Sequence, residues 1–254
     1  MADRRYDILK TSTNRDIAFV KHYAIEKEGN KPGILFLGGF RSDMEGTKAT
    51  FLEDWCLKSK HNFLKFDYSG HGSSSGSFEN GCITDWKNDA CEVLDKLTEG
   101  PQILVGSSMG GWISLLLGKL RPERCKALIG IAAAPDFTEN SFWASFNEEQ
   151  RKLLNYQGFI ALPSDYSSEP YIISKKLIED GRLNLVLKTP LELPFPTRLL
   201  QGMKDMDVHY SEAIALAENL VNLDTKIIIL KEADHQFSSP QCLALLKQTI
   251  EEFL

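Results

Sequence analysis

Long apolar runs are missing from this chain. Its most hydrophobic stretches, residues 103–105 and 112–117, are too short to span a bilayer, so the sequence offers no transmembrane segment. The first ten residues are polar and charged. They have neither the apolar core of a signal peptide nor the Arg/Ser-rich, acid-free character of a presequence, and the expected location is cytoplasmic. Cysteine is scarce and odd in number: Cys56, Cys82, Cys91, Cys125 and Cys242, with no CxxC pair and no Cys/His cluster. That pattern excludes a disulfide framework and a structural zinc site, and leaves small free thiols. Positive charge is not in excess either. Lys and Arg number 29 against 35 Asp and Glu, a net charge of −6, which speaks against a nucleic-acid partner. What remains is a 254-residue chain, 43% hydrophobic and 25% charged, enough for one globular domain over residues 1–254 with a sizeable core.

Short runs that are apolar on both faces recur at residues 33–37, 62–66, 102–105, 126–131, 197–200 and 226–230. This is the pattern of buried parallel strands. Residues 17–25 read as an edge strand paired with one near residues 6–9. Between the strands lie amphipathic helical patterns. Residues 83–97 place Trp86, Ala90, Val93, Leu94 and Leu97 on one face, and residues 109–120 do the same with Trp112, Leu115, Leu116 and Leu120 before stopping at Arg121-Pro122. Residues 210–220 read as a helix, and another starts at Ser239-Pro240, an N-cap followed by proline at the first helical position. Alternating strand and helix predicts a mostly parallel sheet with helices on both faces. Residues 137–190 are too long for a simple crossover. They contain Ser145-Phe146-Asn147-Glu148, which reads as a capping box, a helix over residues 171–180, and an aromatic first half with Phe137, Phe142, Trp143, Phe146, Tyr156 and Phe159. The segment is expected to form a helical lid over an apolar pocket.

Gly106-Ser107-Ser108-Met109-Gly110 directly follows a buried strand and precedes a helix. In that context Gly-x-Ser-x-Gly describes a nucleophile elbow, the mark of the α/β-hydrolase fold, with Ser108 as nucleophile. Ser107 would need Val105 and Met109 where the turn demands small residues. A second match, Gly72-Ser73-Ser74-Ser75-Gly76, has no apolar-periodic helix behind it and reads as a flexible loop. Gly70-His71-Gly72 is likewise a poor dinucleotide fingerprint, with no helix following. The expected chain order is serine, acid, histidine. His235 follows the last strand and is the expected base; His209 is its main rival, and His71 follows a strand end where it could line the pocket. Asp205 is the expected acid, ahead of Asp207 and Asp136. Two N–H donors should hold the oxyanion: Met109, at the start of the helix, and Phe40, after Gly38-Gly39. No cofactor and no metal are expected.

Larger blocks carry a resemblance. They are the run from Gly39 through Arg41 and Gly46-Thr47-Lys48 to Ala49, then Phe66-Asp67-Tyr68-Ser69-Gly70-His71-Gly72, the strand and elbow from Gly100 to Trp112, Gly202-Met203-Lys204-Asp205, and Asp234-His235. The chain resembles the α/β-hydrolase branch that contains the mitochondrial palmitoyl-protein thioesterase, also described as an acyl-glucuronide esterase, and its bacterial relatives. The resemblance spans most of the chain outside the lid, and the absence of a presequence suggests a bacterial or cytosolic member. It departs after the acid, where Met206-Asp207-Val208 stands in place of a proline and a tryptophan. The family's triad maps onto Ser108, Asp205 and His235. The resemblance implies hydrolysis of acyl thioesters or activated esters, with a small-molecule or acylated-protein substrate. The same parts would serve a general carboxylesterase or lipase-like enzyme, and a catalytically silent binding protein could keep the fold.

Overall fold

A strand without a polar face must be covered from both sides, and Gly33–Leu37 is buried at every residue. The computed structural model describes residues 6–23, 31–162 and 170–254. Among these the strands are β1 (Asp7–Lys10), β2 (Asp16–His22), β3 (Gly33–Leu37), β4 (Phe63–Phe66), β5 (Gln102–Ser107), β6 (Cys125–Ile131), β7 (Phe159–Leu162), β8 (Tyr171–Ser174), β9 (Leu191–Glu192), β10 (Thr197–Gly202), β11 (Leu220–Val221) and β12 (Thr225–Leu230). The helices are α1 (Thr47–Ser59), α2 (Ile83–Leu97), α3 (Met109–Leu120), α4 (Glu148–Gln157), α5 (Lys175–Gly181), α6 (Tyr210–Asn219) and α7 (Pro240–Glu251).

The main sheet runs β1-β2-β4-β3-β5-β6-β10-β12. From β4 to β12 neighbouring strands are parallel, while β2 pairs antiparallel with both β1 and β4. The expected edge strand is therefore interior, and β1 is the edge. That strand ends at His22, and residues 24–30 lie outside the described residues. The apolar residues of the strands split between two cores. One gathers Trp86, Val93, Trp112 and Leu116 from α2 and α3. The other gathers Leu52, Trp55, Leu246 and Ile250 from α1 and α7. Helix α1 has no counterpart in the sequence reading. Its buried residues, Ala49, Leu52, Trp55 and Cys56, are helically spaced but diluted by charged neighbours, and Gly46 precedes it without a side-chain cap.

Residues 137–190 hold more strand than expected. After a short π-helix (Thr138–Trp143), the true capping box is Asn147 with Gln150, and the Ser145 hydroxyl instead donates to the Phe142 carbonyl. The first four residues of the helix expected at 171–180 pair as β8 with β7, and the helix begins only at Lys175, where Ser174 caps it through the Leu177 N–H. β-branched and aromatic side chains in Tyr171-Ile172-Ile173 explain the preference for strand. Asp136, buried at a positive φ of 58°, accepts the Val186 and Leu187 N–H groups at 2.8 and 2.9 Å and so ties the far end of the segment to the sheet. No helix of the described residues is long and apolar enough to cross a membrane.

At the β5–α3 junction the backbones pass too closely to admit a side chain. A Cβ on Gly106 would lie 2.3 Å from the Gly110 carbonyl oxygen, and one on Gly110 would lie 2.1 Å from the Leu37 carbonyl oxygen of β3. Neither backbone atom can swing away as a side chain could. Gly110→Ala should therefore cost about 3 kcal/mol or more of stability, at the upper end of overpacking penalties, measured by urea unfolding. A change below about 0.5 kcal/mol would mean that β3 and α3 can separate freely.

Candidate active site

The elbow places Ser108 at φ 52°, ψ −117°, a conformation most side chains avoid. Backbone bonds hold it there. The Ser108 N–H donates to the Ile131 carbonyl at 2.9 Å, and its own carbonyl accepts from Gly111 and Ala134 at 2.9 and 3.1 Å. The side chain is thereby lifted into a pocket of about 400 Å³, where it faces Phe40, Phe137, Phe142, Tyr171 and His235.

Three residues expected from the sequence come together here. Ser108 Oγ lies 3.2 Å from His235 Nε2, and His235 Nδ1 lies 2.9 Å from Asp205 Oδ2. Asp205 is only 4% exposed, and burial alone would raise its pKa. The His235 imidazole and the Val208 and Asp207 N–H groups outweigh burial and hold it below the usual carboxylate value. A carboxylate can only accept, so Nδ1 carries the imidazole proton and Nε2 is left as an acceptor for the Ser108 hydroxyl. Asp205, Asp207 and His235 have potential metal-binding atoms within 4.8 Å of one another. Yet Asp205 Oδ1 already accepts from Val208 and Asp207 at 2.8 and 3.0 Å, and Oδ2 from Gln201 at 2.9 Å, so the set is an oriented carboxylate more than an open coordination site.

The rival candidates stand elsewhere or do other things. Asp207 lines the pocket, and its backbone N–H donates to Asp205 Oδ1 at 3.0 Å. Asp136 caps the Val186 and Leu187 amides. His209 caps α6 through the Ser211 N–H. Ser74, in the second Gly-x-Ser-x-Gly match, donates to the Asp67 carbonyl at 2.6 Å and accepts from the Ala18 N–H at 2.8 Å, which ties the loop after β4 to strand β2. Phe40 lines the pocket and Met109 starts α3 with its side chain buried in the core. His71 does not line the pocket as expected. It is buried behind it, where Nε2 accepts the Arg41 N–H at 3.2 Å.

Two participants had no role assigned to them in the sequence reading. Gln201 interrupts the apolar strand β10, and its amide donates to both Asp205 and the Val208 carbonyl at 2.9 Å. A lone amide in Leu199-Leu200-Gln201 is the signal that could have marked it. Lys48, at the pocket rim, donates to the carbonyl of Gln236, the residue after His235. Burial pulls its pKa down to about 8 against the opposing pull of Asp234.

Asp205→Asn should lower kcat about 10⁴-fold, because an amide can favour the wrong imidazole tautomer, whereas Asp207→Asn should change it by less than about tenfold. Steady-state kinetics of the two variants decides which carboxylate orients His235. The buried His71 generates a second expectation. Burial pushes its pKa down to about 4 from 6.5, so the unfolded chain binds a proton that the folded chain refuses. Its contribution is intact above about pH 6.5 and is lost as pH falls toward 4, about 3 kcal/mol in all. Urea unfolding across that range should show a steeper loss for wild type than for His71→Gln.

Comparisons with known proteins show the family and the fold. A family model described as the alpha/beta hydrolase fold matches residues 47–221. The mitochondrial palmitoyl-protein thioesterase ABHD10 of Rattus norvegicus is 39% identical over 228 residues, 89% of this chain and 76% of the relative. A crystal structure from Agrobacterium vitis S4 superposes with a TM-score of 0.92 at 36% identity, covering 98% of both chains. The mouse alpha/beta hydrolase domain-containing protein 10 superposes with 0.88 at 35% identity, covering 97% of both. The rat relative is named as mitochondrial, which does not support the cytoplasmic location expected from the first residues. On the sequence match and the superposition together, this chain belongs to the α/β-hydrolase fold family, in the branch that holds these thioesterases.

Proposed function

We propose that the chain hydrolyses acyl thioesters and esters by two-step acyl transfer at Ser108, with acylated proteins of the palmitoyl type as its substrate class. Family membership makes it a serine hydrolase of the esterase and thioesterase class. The observation that carries the mechanism is the line from Ser108 Oγ through the His235 ring to Asp205 at the mouth of an apolar pocket. In the first step His235 Nε2 takes the hydroxyl proton as Ser108 Oγ attacks the acyl carbonyl. The Phe40 and Met109 N–H groups receive the developing oxyanion, the latter aided by the positive end of α3. Collapse of the tetrahedral intermediate breaks the bond to the leaving group, which takes the proton back from His235. Water activated by the same nitrogen then cleaves the acyl-enzyme. Asp205 stabilises the imidazolium in both halves. The aromatic walls Phe137, Phe142 and Tyr171 belong to residues 137–190, and in this reading that segment is a lid that shelters the acyl chain within the single domain.

A preference for shorter oxyesters is the second reading, and the pocket size favours it. About 400 Å³ lies near the lower end of the usual range for ligand sites. Hydrolysis of C4, C8 and C16 thioesters and matched oxyesters by wild type and Ser108→Ala separates the two. The expected result is turnover of long thioesters that falls about 10⁶-fold in the variant. A preference for C4 oxyesters would keep the mechanism and remove the depalmitoylase reading. Full activity in Ser108→Ala would overturn both.

A further inference from the structure

The loop that follows β3 is strained. Gly39-Phe40-Arg41-Ser42 forms a turn closed by the Ser42 N–H on the Gly39 carbonyl at 3.3 Å, and Arg41, its third residue, sits at φ 55°. Turns of this kind reserve that position for glycine or asparagine. For arginine the conformation is unfavourable, and the peptide between Phe40 and Arg41 would relax by rotating unless its N–H were held. The holder is His71. Its Nε2 accepts the Arg41 N–H at 3.2 Å, and its Nδ1 faces the Ser69 carbonyl at 3.3 Å.

We propose that His71 is a positioning residue for the oxyanion loop, a neutral acceptor that fixes the Phe40–Arg41 peptide and so aims the Phe40 N–H at the reacting carbonyl. The inference rests on the reading of Ser108 as nucleophile and Phe40 as oxyanion donor. Four features support it. The ring is 4% exposed, and burial keeps it uncharged down to about pH 4, so Nε2 holds a lone pair at every working pH. Ser69 is itself anchored, because its N–H and hydroxyl donate to Asp89 at 2.9 and 2.6 Å, and Asp89 is paired with Arg15 at 2.7 Å. Edge-to-face contacts with Tyr68, Phe78 and Trp86 lock the plane of the imidazole. A second strut runs parallel to it, with Asp67 Oδ1 accepting the Met44 N–H at 2.7 Å, so the loop after β4 carries the loop after β3 at two points. Phe40 is thus pinned through the peptide after it and through its ring, which packs at 4.8 Å from Phe78 and 5.9 Å from Trp86.

Two nearly isosteric variants separate positioning from bulk structure. In His71→Gln the side-chain carbonyl reaches the place of Nε2 and can accept from Arg41. In His71→Asn the amide reaches only the place of Nδ1, toward Ser69. The experiment measures kcat, KM and the affinity for a trifluoromethyl ketone transition-state analogue in both, with melting temperature alongside and Ser108→Ala as reference. His71→Asn should lose about 10- to 100-fold in kcat with KM unchanged, and the analogue should weaken by the same factor. His71→Gln should recover most of that loss at a similar melting temperature. Equal kcat and equal analogue affinity in the two variants, with Ser108→Ala inactive, would overturn the inference. Retained turnover in Ser108→Ala would instead overturn the reading beneath it.

Discussion

Everything at this site depends on one turn. Ser108 can hold φ 52°, ψ −117° only because β5 and α3 meet where neither flank carries a side chain, with Gly106 against the Gly110 carbonyl and Gly110 against that of Leu37. The turn lifts the hydroxyl out of the sheet and starts α3 directly beneath it. Once the serine is fixed at the carboxyl edge of a parallel sheet, every other participant must arrive on a loop leaving that same edge. The loops after β3, β10 and β12 do so, bringing Phe40, Asp205 and His235.

Those loops are ordered by polar groups whose charge states are set by their neighbours. Asp205 is buried yet kept ionised, because amide N–H groups and the imidazole saturate its oxygens. His71 is kept neutral by burial, with its two nitrogens facing one backbone acceptor and one backbone donor. The first arrangement suits a group that must stabilise a transient imidazolium. The second suits a fixed strut that must not change charge when the first one works. Lys48, with its amine on the Gln236 carbonyl, braces the histidine loop from the other side.

Much of the fold was legible because its central strands hold apolar runs and its helices carry apolar residues at helical spacing. Helices α2 and α3 stand at the residues that their periodicity marked. The elbow was legible because context, and not the five-residue pattern, distinguishes Ser108 from Ser74, which is hydrogen-bonded to strand β2 and to its own loop. Three things were harder to read. Helix α1 lacks a capping side chain and a continuous apolar stripe. The Tyr171–Ser174 strand carries residues that can serve a strand or the start of a helix, and only its partner β7 decides. Gln201 and His71 act through side-chain hydrogen bonds to loop residues, and no local pattern records those.

The central claim is that His235 and Asp205 make Ser108 nucleophilic. Reaction with a fluorophosphonate, followed by mapping of the adduct by mass spectrometry, tests it most directly. The account predicts one equivalent of label, on Ser108, with labelling slowed severely in His235→Ala, which leaves the serine without its base. Label on another serine, or none at all on well-folded protein, would contradict it.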